Sequence, residues 1–182
     1  HHGYHRLEAP TTHVRSIVQL PSEQWLILDR LDSKQNHDFR LHWLLNDYPF
    51  DWDESSKRVT LSTPKGGYQI QLGASIDNTT VDLRRASPDD PRGWRSPYYM
   101  THQPALSVAM SATAQSISFW TLLGPSTCQV TETENGLTIS HSLWQAQLTT
   151  QDQNNDKGSQ PLVNNIVLLS QDDRRDELCL AP

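Results

Sequence analysis

Between Arg92 and Met100 the sequence reads Arg-Gly-Trp-Arg-Ser-Pro-Tyr-Tyr-Met, which sets two guanidiniums, an indole and two phenols into one short stretch. Guanidiniums bind carboxylate and sulfate through forked hydrogen bonds, and Trp and Tyr rings stack on the apolar face of a sugar. This composition suits an acidic polysaccharide better than a metal or a nucleotide, with Arg92, Trp94, Arg95, Tyr98 and Tyr99 as the binding candidates. A packing reading stands beside it. The Pro and Gly residues mark a long loop, and Trp94 could plug that loop onto a sheet.

A second group opens the chain. Tyr4, His5, Arg6, His13 and Arg15 bring together a phenol, two imidazoles and two guanidiniums if the first segment folds beside the first strand. Tyr4, His5 and His13 could move a proton, while Arg6 and Arg15 could neutralise a carboxylate. On a pleated strand His13 and Arg15 share a face, so joint action is geometrically open to them. The competing reading is an exposed polar edge. His37 and His42 lie singly on strands and read as surface or hydrogen-bonded residues, and His1 and His2 match a tag remnant as readily as native sequence.

No glycine-rich phosphate loop, nucleophile elbow or zinc spacing is present. Gly66-Gly67 does not open a helix, as a phosphate cradle requires. Asp47, Asp51, Asp53 and Glu54 could be read as a calcium loop, but the ordered Gly and terminal Glu are missing, so no metal site is assigned. Cys128 and Cys179 form no CxxC pair, and their spacing leaves a disulfide between them open. The formal net charge of -6 excludes the basic stripe of a general nucleic-acid binder. No apolar run approaches the roughly 18 to 20 residues of a membrane span and no signal peptide opens the chain, so the expectation is a soluble protein with neither nucleic acid nor membrane as partner.

The scaffold that must position these groups reads as all-β. Its 182 residues, 35% of them hydrophobic, suit one domain over residues 1–182. Alternating or apolar runs predict strands over His13–Leu20, Trp25–Leu31, His37–Leu45, Arg58–Ser62, Tyr68–Gly73, Thr79–Arg85, Pro104–Ser111, Ser116–Leu123, Cys128–Glu132, Leu137–Ser140, Leu143–Thr150 and Leu162–Leu169. Pro64-Lys65-Gly66-Gly67 and Asn135-Gly136 supply hairpin turns. Polar Asp32–Asn36 reads as a turn, Asn46–Ser56 as an acidic loop with aromatic staples, Thr149–Gly158 as a mobile loop and Asp172–Glu177 as a frayed tail. No stretch longer than ten residues carries a helical period. The expected fold is an antiparallel two-sheet β-sandwich.

Three segments together resemble the C-terminal β-sandwich region of the heparinase II/III-like polysaccharide lyases. They are His2-Gly3-Tyr4-His5-Arg6-Leu7 with Thr12-His13-Val14-Arg15; Trp25-Leu26-Ile27-Leu28-Asp29-Arg30-Leu31 with His37 and Leu41-His42-Trp43; and Arg92-Gly93-Trp94-Arg95-Ser96-Pro97-Tyr98-Tyr99 with Pro104-Ala105-Leu106-Ser107. Their order and spacing span roughly residues 1–125. The resemblance implies a parent protein in which a helical toroid precedes the sandwich. It also implies cleavage of glycosaminoglycan- or alginate-like chains by β-elimination. In that reaction the uronate carboxylate is neutralised, a Tyr or His removes the C5 proton, and an acid protonates the departing glycosidic oxygen. The toroid, its acid-base tyrosine and the His-x-Asp segment that helps form a metal or catalytic site have no match here. The resemblance therefore implies an inactive piece of a lyase, with any divalent metal in the parent and a periplasmic or secreted location. A non-catalytic carbohydrate-binding or structural sandwich is the alternative.

Overall fold

The computed structural model describes residues 3–6, 8–150, 163–170 and 175–179. A short 3-10 helix, η1 (Gly3–Arg6), leads into β1 (Thr11–Leu20), which pairs antiparallel along its whole length with the first part of β2 (Gln24–Asn46). Then follow β3 (Phe50–Asp53), β4 (Arg58–Thr63), β5 (Gly66–Ala74), β6 (Thr80–Arg85), β7 (Trp94–Arg95) and the long β8 (Gln103–Gly124). These strands form one sheet in the order β1-β2-β8-β5-β4-β3, with β6 and β7 also paired to β8. A second sheet, in the order β13-β12-β11-β10-β9, holds β9 (Gln129–Thr133), β10 (Gly136–Ser140), β11 (Trp144–Thr150), β12 (Val163–Ser170) and β13 (Arg175–Cys179). Both sheets are antiparallel, and the fold is the expected β-sandwich.

The larger sheet doubles back on itself. Trp43 lies opposite Val108 in the β2–β8 register, yet its indole Nε1 donates to Thr121 Oγ1 at 3.0 Å, thirteen residues further along β8. Strands that ran straight would hold those groups tens of ångströms apart. β2 and β8 therefore turn over together at the irregularity between Asp32 and His37. The second part of β2, the first part of β8 and β6 form an upper layer above the middle layer of β1, the first part of β2, the second part of β8, β5 and β4. The second sheet covers the other side of that middle layer.

Two cores follow. Between upper and middle layers lie Phe39, Leu41, Leu106, Val108, Met110, Ile117, Phe119, Ile70 and Leu72. Between the middle layer and the second sheet lie Leu26, Leu28, Trp120, Leu122, Leu137, Ile139, Trp144 and Ala146. A middle strand must be apolar on both faces. That is why Trp25–Leu31 reads as a continuous run: Leu26 and Leu28 serve one core while Ile27 and Leu31 point toward the other side.

Four local expectations are corrected. Asp32–Asn36 is not a turn between two strands, since β2 runs through it; the residues are polar because the strand there rounds the exposed rim of the sandwich. Pro104–Ser111 and Ser116–Leu123 are likewise one strand, β8, whose intervening Ala-Thr-Ala-Gln contains no turn residue. The Asn46–Ser56 loop contains β3, because Phe50 and Trp52 pack on the upper core and draw the segment onto the edge of β4. The tail expected to fray carries β13, paired with β12 over Asn165–Leu169. The predicted mobile loop falls largely on residues 151–162, outside the described ones. Asn135-Gly136 makes the β9–β10 hairpin as read.

Candidate functional site

β1 is an edge strand, so the side chains it sends toward the upper core lie beside an open rim. His13 and Arg15 share this face. They meet at Asp29, the residue opposite Arg15 on β2. His13 Nε2 stands 2.6 Å from Asp29 Oδ1, Arg15 Nε donates to the same oxygen at 2.6 Å, and Arg15 Nη2 donates to Oδ2 at 3.0 Å. Asp29 is only 2% exposed, and a carboxylate so far from water requires cationic partners. The Arg15 guanidinium also lies over the Trp43 ring, 5.5 Å from its centroid. The indole is in turn fixed by its bond to Thr121, whose side chain is fully buried. Asp29 is the member that reading by residue type passed over. Its signal was a lone carboxylate inside an apolar run buried on both faces.

Of the other opening residues, Tyr4 and Arg6 are exposed on η1, which contacts β1. The side chain of His5 and all of His1 and His2 lie outside the described ones.

The stretch from Ala86 to His102 folds over the outer surface of the upper layer, where Ala105, Ser107 and Ala109 of β8 form a buried strip of small residues. Gly93 makes the close approach. Its φ is +79°, and a Cβ there would stand 2.7 to 2.9 Å from backbone atoms of Arg84, Arg85 and Ala86. Arg92 turns inward: Nη1 donates to Asp82 Oδ2 at 2.6 Å, and Nε and Nη2 both donate to Ser107 Oγ, at 3.1 and 2.9 Å. Trp94 is half-buried, with Nε1 donating to the carbonyls of Ser87 and Asp90 and its ring edge-on to His102. Arg95 is exposed but pinned, Nη1 to Asn46 Oδ1 at 2.6 Å and Nη2 to Gln103 Oε1 at 3.1 Å.

Beyond these anchors the tip stands free of the sheet. Ser96 Oγ donates to the carbonyl oxygens of Tyr98 and Thr101 at this tip, Met100 adopts φ +57°, and Tyr98 and Tyr99 are 78% and 82% exposed. The loop thus divides in function. Arg92 and Trp94 hold it down, while Arg95, Tyr98 and Tyr99 remain on the surface. Trp43 and Asn46 are three residues apart on β2, about 10 Å of extended chain. The Trp43 ring under Arg15 and the Asn46 side chain that holds Arg95 therefore share the last few residues of β2.

Asp47 and Asp53 of the acidic Asn46–Ser56 segment are engaged rather than gathered. Asp47 accepts two bonds from Arg85, at 2.6 and 2.8 Å, which holds its carboxyl below the usual range. Asp53 caps its own turn through Ser55 and Ser56, whose hydroxyls hold its carboxyl well below that range. Among the described residues no three His, Cys, Asp or Glu side chains converge as a metal site. Cys128 is buried in the lower core, where burial pushes its thiol upward; the Cys179 side chain lies outside the described ones.

The arrangement of strands is similar to that of two solved structures of heparinase III. One superposes with a TM-score of 0.61 at 12% identity, covering 93% of this chain and 24% of the other. The second, with methylated lysines, gives 0.60 at 11% identity, covering 96% and 26%. This chain spans about a quarter of the length of either. No curated protein matches it. The family described as heparinase II/III-like, C-terminal, matches residues 1–130, the part that holds η1, both guanidinium clusters and all of the folded sheet, and this chain belongs to that family.

Proposed function

We propose that this chain is the sandwich part of a polysaccharide lyase whose whole form cleaves uronate-containing polysaccharide by β-elimination. The observation that carries the reading is the family match over residues 1–130. The similarity of fold to heparinase III structures supports it. In this reading residues 1–182 form one domain of a larger protein. A helical toroid supplies the acid-base tyrosine, a divalent metal belongs to the parent outside this chain, and the parent works in the periplasm or is secreted. This chain contributes one wall of the cleft and is inactive alone.

Chemically, that wall offers cations for the uronate carboxylate and rings for the sugar faces. Arg6, Arg15 and Arg95 present exposed guanidiniums, and Tyr98 and Tyr99 exposed rings. Arg15 is held by Asp29, and Arg92 by Asp82 and Ser107, so their part is to shape the wall. His13, seated on Asp29, and Tyr4 on η1 are the described groups able to exchange a proton there. The negative net charge is compatible with an acidic substrate if carboxylates face solvent and basic groups line the groove.

The decisive assay takes the intact parent with heparin, heparan sulfate, alginate and related uronate polymers and follows unsaturated-uronate absorbance. Appearance with one of them is expected; none with any would end the lyase reading. Turnover by this chain alone would show that the catalytic groups had been misplaced. The exposed rings of Tyr98 and Tyr99 favour a second reading, a non-catalytic carbohydrate-binding sandwich, which requires glycan binding by this chain itself.

A further inference from the structure

His42 lies on the outer surface of the upper layer, facing Ser107 on β8, and its Nε2 is 2.7 Å from Ser107 Oγ. Ser107 is fully buried, and its oxygen already accepts two N–H groups from Arg92. A hydroxyl oxygen has two lone pairs and one hydrogen. With both lone pairs directed to Arg92, the hydrogen must go to His42 Nε2. The imidazole can accept that hydrogen only while Nε2 is unprotonated. We propose that His42 is a proton-operated latch on the Ala86–His102 loop: neutral, it completes the Ser107–Arg92 anchor; protonated, it breaks that anchor and loosens the loop.

The surrounding charges set the direction. Arg92 approaches His42 from the loop and Arg40 from two positions earlier on β2, while β8 presents Ser107 and no charge there. Burial, then Arg92, then Arg40 lower the His42 pKa from its ordinary value. A histidine whose folded value is depressed stabilises the fold fully above its unfolded value of about 6.5. That contribution is lost as pH falls from there through the folded value. Asp82, which binds Arg92 and is shared with Arg84, stays ionised across this window, as burial raises its pKa but the arginine bonds outweigh it. Asp90 accepts the Arg92 backbone N–H on Oδ1 at 2.8 Å and lies 3.7 Å from Arg84 Nε. His102, edge-on to Trp94, is another imidazole on the loop and must be separated by experiment.

The Ala105 amide, which donates to the Gly93 carbonyl at 2.8 Å, reports on loop docking. In the 182-residue chain, the His42 ring is followed by NMR while amide protection at Ala105, corrected for intrinsic exchange, is compared at pH 7.5 and 5. We expect His42 to titrate below about 6.5 and Ala105 protection to fall about fivefold, the loss of roughly one hydrogen bond. His42→Gln keeps an acceptor for Ser107 and leaves His102 in place, so its protection should be independent of pH. Arg92→Gln should move the His42 titration upward. A flat wild-type profile between these pH values, or the same fall in His42→Gln, would overturn the proposal.

Discussion

Arg15 and Asp29 face each other across the β1–β2 register and form a two-pronged ion pair, with Nε 2.6 Å and Nη2 3.0 Å from the two carboxylate oxygens. The carboxylate end is almost dry and the guanidinium end partly wet, with side-chain exposures of 3% and 42%. Removing the cation therefore strands a buried charge, whereas removing the anion leaves a guanidinium that water can reach. Arg15→Ala should destabilise the chain by about 3 kcal/mol, and Asp29→Asn by less. Urea denaturation of both variants checks the order. A smaller cost for Arg15→Ala would show that His13 alone satisfies Asp29.

The loop depends on backbone geometry at Gly93. Gly93→Ala would force a side chain into the left-handed region and within 3 Å of the Arg84–Ala86 backbone, at a cost of about 2 kcal/mol. Since β7 and the Ala105–Gly93 bond depend on that approach, the damage should fall on the loop before the cores. Amide exchange should rise from Trp94 to Gln103 while Phe119 and Ile139 remain protected. Equal loss in both places would mean that the loop and the sandwich unfold as one unit.

How far these features could be read from sequence depends on where each one's cause resides. Asn135-Gly136 is a local cause, and the hairpin follows from it. The doubling of the larger sheet has no local cause: Asp32–Asn36 is polar because it rounds a rim, and polar rims and turns draw on the same residues. Arg92 and Arg95 are chemically alike three positions apart, yet one is held inward by Asp82 and Ser107 and the other faces outward. Only the strands that meet beneath the loop distinguish them. Asp29 was recognisable in principle, since a carboxylate flanked by apolar neighbours on a two-sided strand needs a cation beside it.

Tyr98 and Tyr99 separate binding from folding. Both rings are exposed beyond the last anchor, so Tyr98→Ala and Tyr99→Ala should leave stability within about 0.5 kcal/mol of the original. If the loop grips sugar rings, each should weaken glycan affinity by about 0.5 to 1.5 kcal/mol in calorimetric titration with uronate oligosaccharides. Trp94→Ala is a poorer probe, because Trp94 bonds the Ser87 and Asp90 carbonyls and its loss would loosen the loop as well. Unchanged affinity in both tyrosine variants would remove the tip from the binding surface.

Acid should detach the loop's borders before it opens the cores. Asp47 is held below its ordinary value by the bonds and charge of Arg85, and Asp82 by Arg84 and Arg92 working against burial. A carboxylate whose folded pKa is depressed adds stability above its unfolded value, near 3.9, and that contribution disappears as pH falls through the folded value. The window therefore lies below about pH 4, well separated from the His42 window. Carboxyl NMR should show both groups still ionised where ordinary aspartates have protonated. Loop amides should then lose protection as these two titrate, before Phe119 does. Simultaneous loss at Phe119 would show that these exposed pairs do not hold the loop independently of the cores.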